Sequence, residues 1–420
     1  MSRTATRLAM RPPNMTALAL TAGGSRGAYQ AGVLQRIGEI PSLAEGPAPF
    51  DIITGASAGA INGAALAGYS ARLQYGTARL AELWAGLTAD RVYRTGLSAM
   101  ARNALRFAGD AALGRMLGGG RVQALLDAAP LRELLARELP LAGIGQAVAQ
   151  RRLYALAVTA TGYHSGKSYT FIQGRPGHPL WEKSRRIALP ATIGVDHVCA
   201  SAAIPLVFPP VALATGNASA WFGDGAMRLT NPLSPAIRLG AKRVLAIGIR
   251  CPDSARALTD AEFAHASASA ACLPPRPPLA QICGTFLNAL FLDHLDADID
   301  HLERMNDLVA AYGRGADAGP PKHTVAEPMR VVHPLVISPS EDLAVIAADL
   351  ADRIPASVRF LLETLGTPDA RSADLASYLL FDPAYTRALI DIGYRDADAR
   401  IDEIEAFLRG ETADAAAVAR

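Results

Sequence analysis

Two glycine-flanked serines are the first residues in this chain whose surroundings suggest chemistry. Gly55-Ala56-Ser57-Ala58-Gly59 fits G-x-S-x-G, the pattern of a sharp strand-to-helix turn that lifts a Ser hydroxyl clear of the backbone for nucleophilic attack. Gly55 and Gly59 are needed because a side chain at either end would collide with the neighbouring strand or helix. Gly23-Gly24-Ser25-Arg26-Gly27 fits the same pattern and also follows an apolar run and opens a helical one. With 37 Gly in 420 residues, chance supplies roughly 0.1 to 0.2 such matches per chain, so one match is moderately specific and its junction context raises it. Consecutive backbone N–H groups at a helix N-terminus suit a negative charge, whether phosphate or the oxyanion of acyl transfer. The loop Gly23–Gly27 is therefore read as the anion cradle and Ser57 as the nucleophile. The reverse assignment, and two plain β-α turns, stay open at this point.

A nucleophilic Ser needs a proton acceptor. Asp224 follows the apolar Ala220-Trp-Phe-Gly223 and precedes Gly225, the profile of an acid at the exit of a buried strand; a turn-forming Asp-Gly is the bland alternative. A conventional Ser-Asp-His hydrolase would need a His after the acid. His265, His294, His301, His323 and His333 qualify by position, but none sits in a loop expected after a final sheet strand. His197, ahead of Asp224, is read as facing a helix surface. Arg26 reads first as a solvated side chain; its backbone N–H is a candidate oxyanion donor, and its guanidinium could pair with a lipid phosphate.

In order and spacing, Ala22-Gly-Gly-Ser-Arg-Gly27, Gly55-Ala-Ser-Ala-Gly59 and Asp224-Gly225-Ala226 resemble the three signature motifs of the patatin-like phospholipase family. Ala200-Ser-Ala-Ala-Ile-Pro205 and Asn231-Pro232 are similar to the segments that bracket the Asp motif there, so the resemblance covers roughly residues 15–250. It departs at Ala22, where the family has Gly; because Gly23 and Gly24 remain, the oxyanion site is expected to survive. The resemblance implies a three-layer α/β/α fold and a Ser57–Asp224 dyad without His. It further implies backbone N–H groups of Gly23, Gly24 and Arg26 at the oxyanion, an acyl-enzyme on Ser57, and a phospholipid or other lipid ester as substrate. No metal or organic cofactor is implied. An acyltransferase using the same acyl-enzyme and a catalytically silent lipid-binding protein are the competing readings.

These side chains can meet only if the chain folds as α/β. Apolar runs between turn signals predict strands at Thr16–Thr21, Phe50–Thr54, Arg152–Ala160, Tyr169–Gln173 and Arg243–Ile249, with helices at Ala28–Ile40, Ala58–Ala67, 121–139 and 196–204. The alternation predicts a largely parallel sheet covered on both faces. Beyond about residue 250 the composition shifts. Residues 251–280, rich in Ala, Ser and Pro, read as a linker, 281–312 as a helix, Met329–Ile337 as a strand that can extend the sheet, and 341–364 and 385–409 as amphipathic helices. An independent C-terminal domain is the competing arrangement.

Gly96–Gly120 places apolar residues such as Leu97, Met100, Leu105 and Met116 at near-helical spacing beside Arg94, Arg102, Arg106 and Arg115. That stripe reads as an interfacial lid or as ordinary core packing. A formal charge of +2, with 37 Arg and only four Lys, is too balanced for an electrostatic nucleic-acid binder. Four cysteines without C-x-x-C pairing favour a reducing, cytoplasmic setting with at most peripheral membrane contact. The longest stretch without charged residues, His197–Gly223, is broken by Pro205, Pro209, Pro210 and Gly216 and reads as buried core with turns. Residues 1–14 carry Arg3, Arg7 and Arg11 but are interrupted by Pro12-Pro13, and are expected to be a disordered, uncleaved tail.

Overall fold

The computed structural model describes residues 14–94, 124–216, 218–252, 294–314, 329–356 and 373–411, together with positions 282, 285, 289, 358 and 359. Most of the tail, the 96–120 lid stretch and nearly all of the 251–280 linker lie outside the described residues.

Its centre is β1 (Thr16–Leu20), buried at every position. A strand flanked on both sides and covered on both faces has to be apolar throughout, and Thr16-Ala-Leu-Ala-Leu20 is nearly so. After β1 the chain forms α1 (Gly27–Gly38), β2 (Ile52–Ala56), α2 (Ala58–Gly68), α3 (Leu73–Ala85), α4 (Ala129–Glu138) and α5 (Leu141–Ala149). Next come β3 (Ala155–Gly162), β4 (Lys167–Gly174), β5 (Arg186–Pro190), α6 (Val195–Ser201), β6 (Val211–Thr215) and β7 (Ala218–Gly223). The rest is α7 (Ser234–Leu239), β8 (Arg243–Ile247), α8 (His294–Arg314), β9 (His333–Ile337), α9 (Leu343–Asp349), α10 (Ala373–Leu379), α11 (Pro383–Asp398) and α12 (Ile401–Arg409).

The main sheet runs β5-β4-β3-β2-β1-β8-β9. Strands β3, β2, β1, β8 and β9 pair in parallel, and the β3–β4 pair is antiparallel. A hairpin, β6–β7, attaches antiparallel to the end of β3 through Thr161↔Gly223 and Gly162↔Phe222. The fold is thus α/β with a mostly parallel sheet and a helical C-terminal region. Side chains alternate across it. Leu18 and Leu20 join the core with Val33, Leu66, Leu80 and Leu389, from α1, α2, α3 and α11. Ala17 and Ala19 face the other core with Ala236, Leu239, Leu295 and Leu302, from α7 and α8.

Where the elements differ from the sequence pattern, the causes are local. β2 continues through Gly55 and Ala56, two residues beyond the apolar run, because β3 pairs with it as far as Ala56. The uncharged stretch after His197 resolves into α6, a proline-broken turn and the β6–β7 hairpin. The helical pattern of 341–364 is interrupted after Asp349 by a 3-10 turn, Ala351–Arg353, ahead of Pro355, which cannot continue a helix from the preceding residues; positions 356, 358 and 359 are helical again. The pattern of 385–409 splits into α11 and α12 at Arg400, whose φ of −121° leaves the helical region; Asp402 and Glu403 then sit in the first turn of α12, where the helix dipole favours acids.

α11 lies along α1. Tyr394 donates to Glu39 Oε2 at 2.6 Å, Tyr29 donates to Asp396 Oδ2 at 3.0 Å, and Arg36 pairs with Asp398 at 2.6 Å. A chain truncated after Arg250 would therefore lose both the β9 partner of β8 and the cover of α1, exposing an apolar sheet edge. The expected result is insoluble or inactive protein, measured by fractionation and size-exclusion chromatography. A soluble, monodisperse 1–250 fragment would mean that the C-terminal region is a separable module.

Candidate active site

Ser57 sits between β2 and α2 with φ 54° and ψ −127°, a conformation that a residue with a Cβ adopts at a cost on the order of 1–3 kcal/mol. The turn is tight enough that a Cβ on Gly55 would strike the Gly59 carbonyl, and one on Gly59 would strike the Leu20 carbonyl. The strain is held from α6. Ser201 Oγ accepts the Ser57 N–H at 3.0 Å and donates to the Thr159 carbonyl at 2.6 Å, tying the elbow to β3. The sequence pointed to the segment containing Ser201 but gave this residue no role; a small hydroxyl in an apolar helix was the only available signal.

Asp224 follows β7 and is fully buried. Its N–H donates to the Ala203 carbonyl at 2.9 Å, its carbonyl accepts from Thr161 Oγ1 at 2.8 Å, and its Oδ1 accepts from the Ala226 N–H at 2.9 Å. The backbone is thus fixed from two sides. Oδ2 is buried and makes no hydrogen bond of ordinary geometry among the described residues. Burial pushes the carboxyl up to about 7, and the Ser57 hydroxyl and the Ala226 N–H partly offset that rise. The Ser57 hydroxyl is thus near enough to Asp224 to act on its carboxyl. Tyr163, packed against Gly223, feels the same carboxylate: burial first and Asp224 second raise its pKa.

The loop after β1 forms a 3-10 turn, Gly24–Arg26, that runs into α1. Gly24 has φ 55°. The Arg26 N–H donates to the Gly23 carbonyl at 3.1 Å, so this amide closes the turn. The amides of Gly24 and Ser25 have no preceding helical carbonyl to engage them. The Arg26 side chain is 2% exposed, unlike the solvated arginine expected from the sequence. The cause is tertiary, since residues 377–378 cover it. Behind the loop lies a buried polar chain that the sequence did not reveal. Gln30 Nε2 donates to the Thr21 carbonyl, Asn62 Nδ2 donates to Gln30 Oε1 at 2.9 Å, and Trp84 Nε1 donates to Asn62 Oδ1 at 2.7 Å.

His294 lines a cleft that borders Ala56 and Ala226. His197 is half-buried against Phe171, accepts the Gly194 N–H through Nδ1, and has its pKa lowered by burial. His301 and His333 are exposed, and His265 and His323 lie outside the described residues. Asn231 donates to Asp298 Oδ1 at 2.9 Å, and the Leu233 N–H donates to Oδ2, so the Asn-Pro segment anchors α8. Among the described residues no three His, Cys, Asp or Glu side chains gather as a metal site, and no helix is long and apolar enough to cross a membrane.

Two clefts border the motifs. One, of about 500 Å³ counted to its mouth, is apolar and reaches Ser57; Trp84, Leu131, Leu135, Phe208 and Phe381 help to line it. The other, of about 490 Å³, borders Ala56 and Ala226 and carries Arg250, His294 and Asp296.

A family model described as patatin-like phospholipase matches residues 18–237, just over half of the chain. No curated protein is matched. Among solved structures the chain is similar to VipD from Legionella pneumophila, at 11% identity and a TM-score of 0.27, covering 90% of this chain and 67% of that one. It is also similar to the ExoU–SpcU complex of the type III secretion system of Pseudomonas aeruginosa, at 14% identity and a TM-score of 0.21, covering 88% and 75%.

The raised carboxyl makes a stability prediction. Between the ordinary carboxylate value of 3.8 and about 7, the folded chain binds a proton at Asp224 that the unfolded chain has released, so wild-type stability falls as pH rises through this window. Asp224→Asn carries no buried charge. It is expected to gain stability relative to wild type from pH 4.5 to pH 8, reaching on the order of 2–4 kcal/mol, as measured by urea unfolding at both pH values. A difference independent of pH would refute the raised pKa.

Proposed function

We propose, from the premise that this chain belongs to the patatin-like phospholipase family, that it is a serine lipid acyl hydrolase working through Ser57 and Asp224. The observation that carries this reading is the meeting of a strained Ser57 elbow, an apolar cleft that reaches it and a buried carboxylate whose pKa the Ser57 hydroxyl lowers against the effect of burial. An acyl chain fits the cleft, which brings its ester carbonyl to Ser57. Ser57 Oγ attacks the carbonyl carbon as its proton passes to Asp224 Oδ2. The negative charge that develops on the carbonyl oxygen faces the amides of the Gly23–Gly27 loop, at the positive end of α1. Collapse expels the alcohol, which takes the proton back from Asp224 and leaves Ser57 acylated. Water, deprotonated by the same carboxylate, then attacks the acyl carbonyl; the bond to Ser57 Oγ breaks, Asp224 returns the proton to Oγ, and the fatty acid leaves.

Burial gives Asp224 its role. A carboxylate in water is too weak a base for a Ser hydroxyl, and desolvation brings its pKa to about 7, where it is a better acceptor and still ionised in a useful fraction. With Asp224 as the base, kcat/KM rises with pH up to about 7 and then levels. The deciding experiment combines fluorophosphonate labelling with fatty-acid release from phospholipid vesicles, with and without lysolipid acceptor. Ser57→Ala is expected to abolish labelling and release, whereas Ser25→Ala keeps its label. Asp224→Asn is expected to lower kcat by at least ~10²-fold. Labelling that persists in Ser57→Ala and vanishes in Ser25→Ala would exchange the two loops. Product that appears only as acylated acceptor would make the protein a transacylase.

A further inference from the structure

The Gly23–Gly27 loop is gripped from a part of the chain far beyond the family-matched region. Ser377, in α10, meets it twice. Its carbonyl accepts from Ser25 Oγ at 2.5 Å, and its own Oγ accepts from Arg26 Nε at 2.9 Å and Nη2 at 2.6 Å. The Arg26 guanidinium also lies 4.5 Å over the ring of Tyr378. At Gly24, whose φ of 55° already favours glycine, a Cβ would strike the Tyr378 carbonyl. Ser25 and Ser377 have no measurable exposure, and Arg26 and Tyr378 almost none. The segment is itself pinned, since Tyr93 donates to the Leu379 carbonyl at 2.9 Å, and Phe381 continues from it into the wall of the apolar cleft.

A loop beginning Gly-Gly has more backbone freedom than any other pair would give it, whereas oxyanion donors act only when their direction is fixed before the charge develops. Within the loop that order comes from short turn hydrogen bonds, from the Arg26 N–H to the Gly23 carbonyl and from the Gly27 N–H to the Gly24 and Ser25 carbonyls, and these leave the direction of the Gly24 and Ser25 amides to be set from outside. We propose that Ser377 is a positioning residue for the oxyanion loop: through Ser25 and the Arg26 guanidinium it holds the Gly24 and Ser25 amides toward Ser57. This inference rests on the proposed acyl-hydrolase reading for its kinetic consequence, though not for its structural one.

The test uses the full chain in three variants, Ser377→Ala, Arg26→Met and the double, with Leu302→Ala as a control that loosens the core on the opposite face of the sheet. Turnover of a short-chain p-nitrophenyl ester is referred to the number of sites that a fluorophosphonate labels at saturation, so that unfolded molecules are not counted. Each single variant is expected to lower kcat per site about 10- to 100-fold, a part of what losing an oxyanion donor costs, with KM within about twofold. The double is expected to be no worse than the worse single, because both remove the same contact. Leu302→Ala keeps its kcat per site. Wild-type kcat per site in Ser377→Ala, or effects that multiply in the double, would overturn the proposal. If Ser377→Ala does not fold, the double, in which no guanidinium is buried beside the missing hydroxyl, is measured alone, and wild-type turnover there overturns the proposal equally. Hydrogen exchange of the Gly23–Arg26 amides gives a readout that needs no activity: Ser377→Ala is expected to speed it while β1 stays protected. A wild-type protein that takes no fluorophosphonate defeats the acyl-hydrolase reading; unchanged exchange in Ser377→Ala defeats the clamp.

Discussion

A carboxylate kept out of water sets the terms for everything around it. Asp224 has no exposed surface, and among the described residues its carboxylate takes one hydrogen bond of ordinary geometry, from the Ala226 N–H. Ionising it there costs energy that the rest of the fold must supply. The β6–β7 hairpin, hung from the end of β3, delivers the residue, and Thr161 and Ala203 hold its backbone. Full satisfaction of both oxygens would have stabilised the ion and pulled its pKa down. With Oδ2 lacking a hydrogen bond of ordinary geometry among the described residues, burial dominates and the carboxyl stays raised.

The elbow and the acid belong to one rigid body because β3 touches both. Thr159 receives Ser201, which in turn holds the Ser57 N–H, while Thr161 binds Asp224 two residues further along the same strand. A strand has little freedom to change the spacing of such neighbours. Strain at Ser57 and desolvation at Asp224 are thus both offset by the same sheet, whose two apolar cores lie on opposite faces. Sites at the carboxyl ends of parallel strands have this support available by construction.

The region after the family-matched residues contributes structure to the site as well as bulk. β8 and β9 extend the sheet beside β1, α11 covers α1, and α10 with the residues after it covers the Gly-Gly loop and closes one side of the apolar cleft. Helix and loop ends near the motifs carry buried polar groups that need partners. Ser377 supplies them for Ser25 and Arg26, and the Gln30–Asn62–Trp84 chain does so behind α1.

By itself the sequence determined the alternation of strand and helix, because apolar period and Gly turns are local properties, and it marked out Ser57, Asp224 and the Gly23–Gly27 loop as the residues with chemical potential. It also marked residues 330–337 as a β-rich run able to extend the sheet. The tertiary structure alone decided what those local features face. Separation along the chain says nothing of distance, so the approach of Asp224 to Ser57 across 167 positions, the bracing of the elbow by Ser201 and the burial of Arg26 under Ser377 had no local signature. An arginine in a Gly-rich turn reads as solvated until a segment about 350 residues away is seen lying on it. Likewise a carboxylate's pKa is a property of the water it has lost, and desolvation exists only once the chain has folded around it.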